Sequence, residues 1–321
     1  MIRKYYEDLT FYQKRYTQTE KRAFRDYIQK QAHDASLKTS LFPERTASKN
    51  LVIGDLKNAK YVICAHYDTT PYLPIALERS YGYSHVLLEI LSLVLGVGIG
   101  VILLIFVPKL FWISIITTLL GVYGFLRISG IIPWTRRFSY NDNTSGIITL
   151  LHLMSENKTF KNEVAYVFID SKEKGLKGSK LLSNLMQEQR MISSKEDKKF
   201  IFVDSIGVGK DFAISWYRET RFVWQLKEIF EKYNSKYGYT VALKEDNKKD
   251  VNDYLSFKRF DHASITCYKD VKKNGGYSKN LIKPQRDDYA DEANIEYLAM
   301  IIREYIENGS EYGKSYWETI I

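Results

Sequence analysis

The sequence predicts an α/β domain with a mainly parallel, doubly wound sheet that is interrupted by a two-helix transmembrane hairpin. Short apolar runs at residues 61–65, 164–169 and 200–203 have the length and composition of strands buried on both faces. Longer stretches with helical periodicity alternate with them, which is typical of a parallel sheet covered by helices on both sides. Two much longer apolar segments after the first of these runs predict the hairpin.

The elements outside the hairpin follow from local signals. A first helix is expected over residues 19–31, with Thr17 or Thr19 as its N-cap. The later helices are expected at residues 147–156, 180–189, 222–237 and 294–307. The polar residues 244–253 are predicted to form a surface connection.

The hairpin is predicted from two apolar segments, residues 86–107 and 110–132, which Pro108 and Lys109 separate. At about 1.5 Å per helical residue, each segment is long enough to cross a hydrocarbon core of about 30 Å. A pair of buried core helices, or a hairpin that lies shallowly in one leaflet, is the alternative interpretation.

A hairpin returns the chain to its starting side, so one domain can continue on both sides of the insertion. Residues 1–84 are the first part of this domain, residues 85–132 the hairpin, and residues 133–307 the remainder. Residues 308–321 are predicted to form a loosely ordered C-terminal tail.

Charge predicts the orientation of the hairpin. Lys109 is the only charge at its tip, whereas four arginines flank the domain side: Arg79, Arg127, Arg136 and Arg137. By the positive-inside rule, this asymmetry places a two-span protein in the cell membrane with its domain in the cytoplasm. The first residues contain no apolar signal core, which agrees with that placement.

Composition narrows the class of partner. The net charge of +9 arises from 47 basic and 38 acidic side chains that are interspersed along all 321 residues. Such dispersion fits a domain near an anionic lipid surface and disfavours a nucleic-acid partner. Cys64 and Cys267 are too few for a disulfide framework and are expected to be small core residues.

Acidic and imidazole side chains stand where a metal site is expected. His66 and Asp68 follow the first apolar run, Glu173 follows the second and Asp204 the third, while Asp142 lies in a turn-rich loop. The carboxyl ends of strands are where doubly wound sheets bind their ligands. Because a metal-binding imidazole usually donates its second N–H to a carboxylate, Asp68 is expected to orient His66.

Four motifs resemble those of the co-catalytic zinc aminopeptidases, the family of bacterial leucyl aminopeptidases and glutaminyl cyclases. The His-x-Asp motif is present as His66-Tyr-Asp68. Asn141-Asp-Asn-Thr-Ser-Gly146 is similar to the family's Asn-Asp-Asn-Ala-Ser-Gly loop. Glu173-Lys-Gly-Leu-Lys-Gly-Ser179 matches Glu-x-Gly-Leu-x-Gly-Ser, and Val203-Asp-Ser-Ile-Gly207 matches the strand-end Asp-Met-x-Gly. The resemblance implies a zinc-exopeptidase fold and runs through most of the chain outside the insertion.

The resemblance also implies how the metals are held. One zinc ion of the family takes the first His, the bridging Asp and the strand-end Asp, which are His66, Asp142 and Asp204 here. The second zinc takes the bridging Asp, the Glu and a final His, of which only Asp142 and Glu173 are present. One zinc site is therefore expected to be competent and the second to be weakened. Asp253 corresponds to an Asp of the family's substrate pocket.

Two positions depart from the family pattern. Lys172 stands where the family has the Glu that acts as general base, and Asp170 is a weak substitute for it. The final His of the family's His-Thr-x-x-Asp motif is missing from Lys283-Pro-Gln-Arg-Asp287. His262 is the one candidate for a replacement ligand, and its alternative interpretation is an ordinary loop histidine.

Three functions remain open at this point. The first is a membrane-anchored metallopeptidase that hydrolyses N-terminal residues from peptides. The second is a catalytically impaired pseudo-peptidase that serves as a membrane-anchored binding or regulatory module for a protein partner. In the third, the hairpin itself has the main role, for example by assembling with another membrane protein.

Overall fold

The computed structural model describes residues 1–43, 46–69, 75–128, 138–156, 162–188, 198–245, 252–268, 270–271, 277–278 and 287–313. Its helices are α1 Ile2–Leu9, α2 Gln18–Asp34, α3 Ile75–Phe106, α4 Phe111–Ile128, α5 Ser145–Glu156, α6 Lys177–Glu188, α7 Arg221–Tyr237 and α8 Glu292–Asn308. Its strands are β1 Thr39–Phe42, β2 Asn50–Ile53, β3 Tyr61–His66, β4 Val164–Ile169, β5 Lys199–Val203, β6 Asp211–Trp216, β7 Thr240–Glu245, β8 Asp261–Tyr268, β9 Asp270–Val271 and β10 Tyr277–Ser278.

One eight-stranded sheet, in the order β1-β2-β4-β3-β5-β8-β6-β7, forms the centre of the domain. Its middle strands β4, β3, β5 and β8 are parallel to one another, and β6 runs antiparallel to β8. β3, β4 and nearly all of β5 are buried, which explains why their sequences are continuously apolar rather than alternating. The predicted mainly parallel α/β sheet is confirmed.

Helices cover both faces of this sheet. Alternate residues of β3 point to opposite sides, so that Ile63 packs with helices α1, α2, α5, α7 and α8 in one apolar cluster. Val62 packs on the other face with Leu182 of α6. Thr17 begins α2 with a capping box, in which its hydroxyl accepts from the Glu20 N–H and the Glu20 carboxylate accepts from the Thr17 N–H.

The insertion is a pair of packed helices. A methyl group on Gly96 of α3 would lie 2.1 Å from the Gly121 Cα of α4, so the two backbones approach as closely as glycine allows. Ser114 adds a hydrogen bond from its hydroxyl to the Gly100 carbonyl oxygen across the pair. The outer faces are apolar and exposed, with large side chains that include Val94, Leu95, Ile102, Ile105, Phe106, Trp112, Leu119 and Leu120.

The helical pair starts at Ile75, earlier than the predicted apolar segment, and α4 ends at Ile128. Within the described residues, no helix is long and apolar enough to cross a membrane. The predicted transmembrane hairpin is therefore corrected to a helical hairpin. The alternative of two buried core helices is also wrong, because their outer side chains are exposed.

Several sequence predictions concern residues outside the described part. These are the side chains of Arg79 and Arg127, the residues Arg136 and Arg137, the motif residues 283–286, and residues 314–321 of the predicted tail. The predicted surface connection at 244–253 differs from the structure at both ends. Lys244 belongs to β7, and Asp253 begins a short buried turn, Asp253–Phe257.

Arg15 joins the two ends of the chain segment that contains the hairpin. Its backbone N–H donates to the Thr69 hydroxyl over 3.1 Å, just after β3. Its fully buried guanidinium donates to the hydroxyls of Ser139 and Thr144, over 2.9 and 3.0 Å, where the chain re-enters the domain. The hairpin therefore leaves and rejoins the domain at neighbouring points.

Candidate metal centre

The candidate site lies at the carboxyl ends of β3, β4 and β5, where the predicted ligands come together. His66 is the last residue of β3, and Asp204 follows β5. Two serines with positive φ turn the chain sharply at this edge: Ser171 (φ 56°) precedes Lys172, and Ser205 (φ 55°) follows Asp204. Because β3 pairs in parallel with β4 on one side and with β5 on the other, these two turns flank the end of β3.

Asp142 reaches the same edge from the loop that precedes α5. Asn143 holds this loop in place, because its amide donates to the Val203 carbonyl oxygen over 2.9 Å and its Oδ1 accepts from the Ser205 N–H over 3.1 Å. Asn141 Oδ1 accepts from the Gly207 N–H over 2.8 Å. The motif residues around Asp142 therefore bind the turn that contains Asp204.

Asp287 is a functional residue that sequence reasoning did not single out. Its two carboxylate oxygens accept from the backbone N–H groups of Asn141 (2.6 Å) and Asp142 (3.1 Å), and its side chain is buried. It is the Asp of the degenerate C-terminal motif, so that motif position was the available signal. Asp287 holds the backbone of the Asp142 loop although the His of the motif is missing.

Three of the predicted ligands form a group that could hold a cation. One ligand atom each from His66, Asp142 and Glu173 lies within 4.8 Å of the others. His66 Nε2 is 3.1 Å from Asp142 Oδ1. Imidazole and carboxylate are ligands of zinc, and three protein ligands leave a position open for substrate. These residues fit one divalent ion.

Asp204, the fourth predicted ligand, is held by a cation of the protein itself. Lys172 Nζ donates to Asp204 Oδ2 over 2.6 Å and lies 3.1 Å from His66 Nε2. Both side chains are largely buried, at 10% and 14% exposure. A second metal ion would need Asp204, whose Oδ2 is bonded to Lys172, so the described residues do not fit two ions while Lys172 is in place.

His66 Nε2 can serve only one of its two neighbours at a time. With a proton, it donates to Asp142; with a free lone pair, it accepts from Lys172. Burial and the Lys172 charge would lower the pKa of His66, but Asp142, Asp204 and Asp68 together raise it well above its ordinary value.

The ionisable groups of the site shift one another's pKa values. Burial alone would lower the pKa of Lys172, yet Asp204, Asp142 and Glu173 raise it above its ordinary value, so the amine stays charged. Burial opposes ionisation of Asp142, but His66 and Lys172 lower its pKa to about 2. Burial and the neighbouring Asp142 raise the pKa of Glu173 to about 7.

Asp68 lies beside His66, but its main partners are different. Its oxygens accept from the N–H groups of Lys172 and Glu173, each over 3.0 Å. The distance from Asp68 Oδ1 to His66 Nδ1 is 3.6 Å, which is too long for a hydrogen bond. Asp68 therefore fixes the backbone that presents Lys172 and Glu173, and it contributes to His66 through charge.

Asp170 is not available as a substitute base. It is completely buried and forms an ion pair with Lys21 of α2, and its second oxygen accepts from the Lys49 N–H over 3.0 Å. Both carboxylate oxygens therefore have protein partners. The hypothesis that Asp170 replaces the missing base is wrong.

His262 is not a replacement ligand either. Its Nδ1 donates to the Phe260 carbonyl oxygen over 2.9 Å, its Nε2 accepts from the Tyr217 N–H over 3.3 Å, and its ring stacks on Tyr254. Because both ring nitrogens are used, His262 is a structural histidine. It lies in strand β8, so the alternative interpretation of an ordinary loop histidine is corrected as well.

Asp253 is buried near the site and incompletely partnered. Its Oδ1 accepts no hydrogen bond within the described part of the chain. Burial raises the pKa of Asp253 to about 6, against the influence of Lys172 and His66. A buried carboxylate oxygen without a donor is suited to receive one from a ligand.

Imidazole and carboxylate side chains at the carboxyl ends of a mainly parallel sheet define an α/β domain with a candidate metal centre. The family model for Peptidase family M28 matches residues 134–305. Because that match covers more than half of the sequence, the chain belongs to peptidase family M28. No curated protein sequence matches the chain significantly.

Solved structures with the same fold include two kinds of enzyme. The LapA aminopeptidase of Legionella pneumophila is 13% identical, with a TM-score of 0.58 over 94% of this chain and 68% of LapA. The glutaminyl cyclase of Porphyromonas gingivalis is 12% identical, with a TM-score of 0.60 over 95% of this chain and 96% of the cyclase. The glutaminyl cyclase of Tannerella forsythia is 13% identical, with a TM-score of 0.59 over 96% and 97%. At these identities, the similarity shows the fold.

Proposed function

We propose that the chain is a membrane-anchored metallopeptidase that removes N-terminal residues from peptides and uses one divalent ion, zinc. Membership of peptidase family M28 supports a metallopeptidase-type activity. The observation that carries the proposal is the group of His66, Asp142 and Glu173, whose ligand atoms lie within 4.8 Å of one another at the strand ends.

His66, Asp142 and Glu173 would hold the ion. A divalent cation in this position supplies Lewis-acid polarisation of the scissile carbonyl group. Asp68 and Asp287 position the ligands, because each accepts two backbone N–H groups from the chain segments that present them.

Lys172 has the role of a donor in this proposal. An ammonium group has three N–H bonds, and Lys172 donates one of them to Asp204. Another can donate to the carbonyl oxygen of a substrate, where negative charge develops during hydrolysis. Without a lone pair, Lys172 cannot take a proton from water, so it does not replace the family's general base.

Asp253 is proposed to bind the free amino group of the substrate. Its unpartnered oxygen is buried and lies close enough to Lys172 and His66 for both to lower its pKa. A substrate ammonium would give this oxygen a donor and a compensating charge. This contact would restrict the enzyme to peptides with an unblocked N-terminus.

Purified protein tests the activity with aminoacyl chromogenic substrates, after removal of metal by a chelator and after return of zinc. We expect zinc-dependent release of the N-terminal residue, with a loss on the order of a hundredfold in His66→Ala. Acetylated substrates should not be cleaved. Release of ammonia from peptides with N-terminal glutamine would instead indicate a cyclase. No turnover of any of these substrates with zinc present would contradict the proposal.

We also propose that the hairpin inserts into a lipid bilayer and holds the domain at the cytoplasmic face of the cell membrane. The exposed outer side chains of α3 and α4 support this, because so large an apolar surface is costly in water. The tip carries Phe106 and Trp112, which are 76% and 73% exposed.

Flotation with vesicles of phosphatidylcholine and phosphatidylglycerol tests the membrane proposal. The full chain should float with the vesicles and resist extraction by alkaline carbonate. Ile102→Lys combined with Leu119→Lys should release it, whereas Phe11→Lys changes an exposed side chain outside the hairpin and should not. A full chain that stays with the aqueous fraction would contradict membrane insertion. Protease digestion of inside-out and right-side-out vesicles then determines which side the domain faces.

A further inference from the structure

We propose that the Lys172 ammonium group is a built-in cation that takes the place of one of the two metal ions, so the wild-type chain binds at most one. This inference rests on the proposed metal centre and deepens it. It concerns the number and position of the ions, which can be measured without reference to turnover.

The Lys172 ammonium group lies where a metal ion would lie in this half of the site. Lys172 Nζ is 2.6 Å from Asp204 Oδ2 and 3.1 Å from His66 Nε2. Those two atoms are the imidazole and carboxylate donors that an ion in this half of the site would need. Asp204 Oδ1 is itself 3.5 Å from His66 Nε2, so the pair forms a narrow cleft that Lys172 closes.

Both carboxylate oxygens of Asp204 already have hydrogen-bond partners. Its Oδ2 is held by Lys172, and its Oδ1 accepts from the Ser205 hydroxyl over 3.0 Å. A metal ion would have to displace the ammonium group from Oδ2 and compete with it for the His66 lone pair. It would also stand beside a positive charge that is buried with it, which opposes binding.

The placement of Lys172 is fixed. The Asp68 carboxylate holds the Lys172 backbone N–H over 3.0 Å, and its neighbour Ser171 has a left-handed conformation that aims the side chain into the site. The Lys172 side chain is buried to 10% exposure, so it has no solvated position nearby that keeps its contacts. On the other side, Asp142 and Glu173 remain free of lysine contacts at hydrogen-bond distance within the described residues.

The arrangement predicts an asymmetric centre. One half contains Lys172, Asp204 and a face of His66, and its positive charge is covalently part of the chain. The other half contains Asp142 and Glu173 and takes an exchangeable ion. Removing Lys172 should create a second ion site at Asp204, with the Asp142 carboxylate shared between the two ions and the single Nε2 lone pair of His66 given to one of them.

The experiment counts ions. The full chain is loaded with zinc, freed of excess by dialysis and measured by elemental analysis, and cobalt is used in parallel because its absorption spectrum reports coordination. Wild type should hold about one ion or fewer per chain, and Lys172→Met should hold about one more. Lys177→Met, the same substitution at an exposed lysine, should match wild type, as should Lys172→Arg, which keeps the charge.

The added ion is assigned by a second substitution. Combining Lys172→Met with Asp204→Asn should abolish the gain, because Asp204 is a ligand of the added ion only. Two tightly bound ions in the wild type would overturn the inference, and this measurement needs no variant. An unchanged ion count in folded Lys172→Met would overturn it as well. If the counts are as expected and no substrate is turned over, the inference stands and the proposed activity fails. If wild type is active and binds two ions, the inference fails and the proposed activity stands.

Discussion

Two buried lysine–aspartate pairs lie at the same edge of the sheet and have different surroundings. Lys21 pairs with Asp170 behind the site, where the two side chains are 3% and 0% exposed and the carboxylate has a second donor in the Lys49 N–H. Lys172 pairs with Asp204 inside the site, next to His66, Asp142 and Glu173.

The difference shows how the same pair of groups can be structural in one place and functional in another. The two oxygens of Asp170 are bonded to Lys21 and to the Lys49 N–H, so this pair joins α2 to the end of β4. Asp204 is surrounded by groups that could hold another cation. We therefore expect the first pair to be required for stability alone and the second to be exchangeable for a metal ion.

The largest expected effect is from Lys21→Met. It leaves Asp170 as a buried charge without its ion-pair partner, which should lower the free energy of unfolding by about 3–5 kcal/mol. Chemical denaturation measures this loss. Because both oxygens of Asp170 have protein partners in wild type and none of them is a predicted ligand, added zinc should stabilise this variant no more than it stabilises wild type. A loss that zinc reverses would remove the distinction between the two pairs.

Lys172→Met should cost less and should respond to metal. Without metal, we expect a loss of about 2–3 kcal/mol, because His66 can carry part of the missing charge. Zinc at about a hundredfold excess over its Kd should return about 2.7 kcal/mol beyond the gain of the wild type, because this variant binds one more ion in the folded state. The measurement is a denaturation series with a chelator and with zinc, and Lys177→Met is the control that should match wild type in both conditions. If zinc stabilises Lys172→Met no more than it stabilises Lys21→Met, the second pair is structural as well.

Asp287→Asn tests a carboxylate whose two oxygens, like those of Asp170, both accept hydrogen bonds. The donors to Asp287 are two backbone N–H groups. The amide loses one of the two acceptors for Asn141 and Asp142, and we expect a loss of about 1–2 kcal/mol together with weaker zinc binding. Denaturation and zinc titration are the two measurements. Asp288→Asn, at the exposed neighbour, is the matched control. Normal zinc affinity in Asp287→Asn would show that the Asp142 loop holds its shape without this residue.

Asp253→Asn should raise the free energy of unfolding, whereas the three substitutions above lower it. Burial raises the pKa of Asp253 to about 6, whereas an unfolded aspartate has a pKa of about 3.9. The folded state therefore binds more protons between about pH 4 and 6, and its stability falls as pH rises through that window. Above it, the neutral amide should be more stable than wild type by about 1–2 kcal/mol, while the KM for peptides should rise.

Thermal unfolding from pH 4 to 8 measures the Asp253 effect. The gain of the variant should be present above about pH 6 and fade towards pH 4, where wild-type Asp253 is protonated in the folded state and about half protonated in the unfolded state. Asp288→Asn should give no gain at any of these pH values. A variant less stable than wild type at pH 7 would mean that Asp253 has a partner in the folded chain and is not reserved for a ligand.

The parts of the site that sequence reasoning predicted are those that depend on local pattern. A buried parallel strand has a continuous apolar run, and its first polar residue marks the carboxyl end, so the positions of His66 and Asp204 could be read directly. The loop of Asp142 and the turn before Glu173 were found through motifs in which neighbouring residues have fixed roles. Of these roles, Asn143 and Asn141 bridge to the strand ends as the loop requires.

The parts that escaped prediction depend on contacts between distant positions. Lys21 and Asp170 are 149 residues apart, so nothing near either residue indicates that they pair. Because its partner Lys21 is so far away in the sequence, Asp170 was interpreted as a carboxylate that could act as a substitute base. Lys172 was identified as a departure from the family pattern, but only the folded chain shows that its amine bonds to Asp204. The hairpin was predicted from hydropathy, which does not determine whether apolar helices cross a membrane, lie in it or pack on protein.

The hydrogen bonds of Arg15 bear on how much the length of the inserted segment can vary. By bonding to Thr69 on one side and to Ser139 and Thr144 on the other, it brings together the two ends of a loop more than sixty residues long. A short linker between those ends could replace the whole loop without moving a ligand of the metal centre. The insertion is thus a module in the evolutionary sense: its length, composition and attachment can change independently of the chemistry beside it.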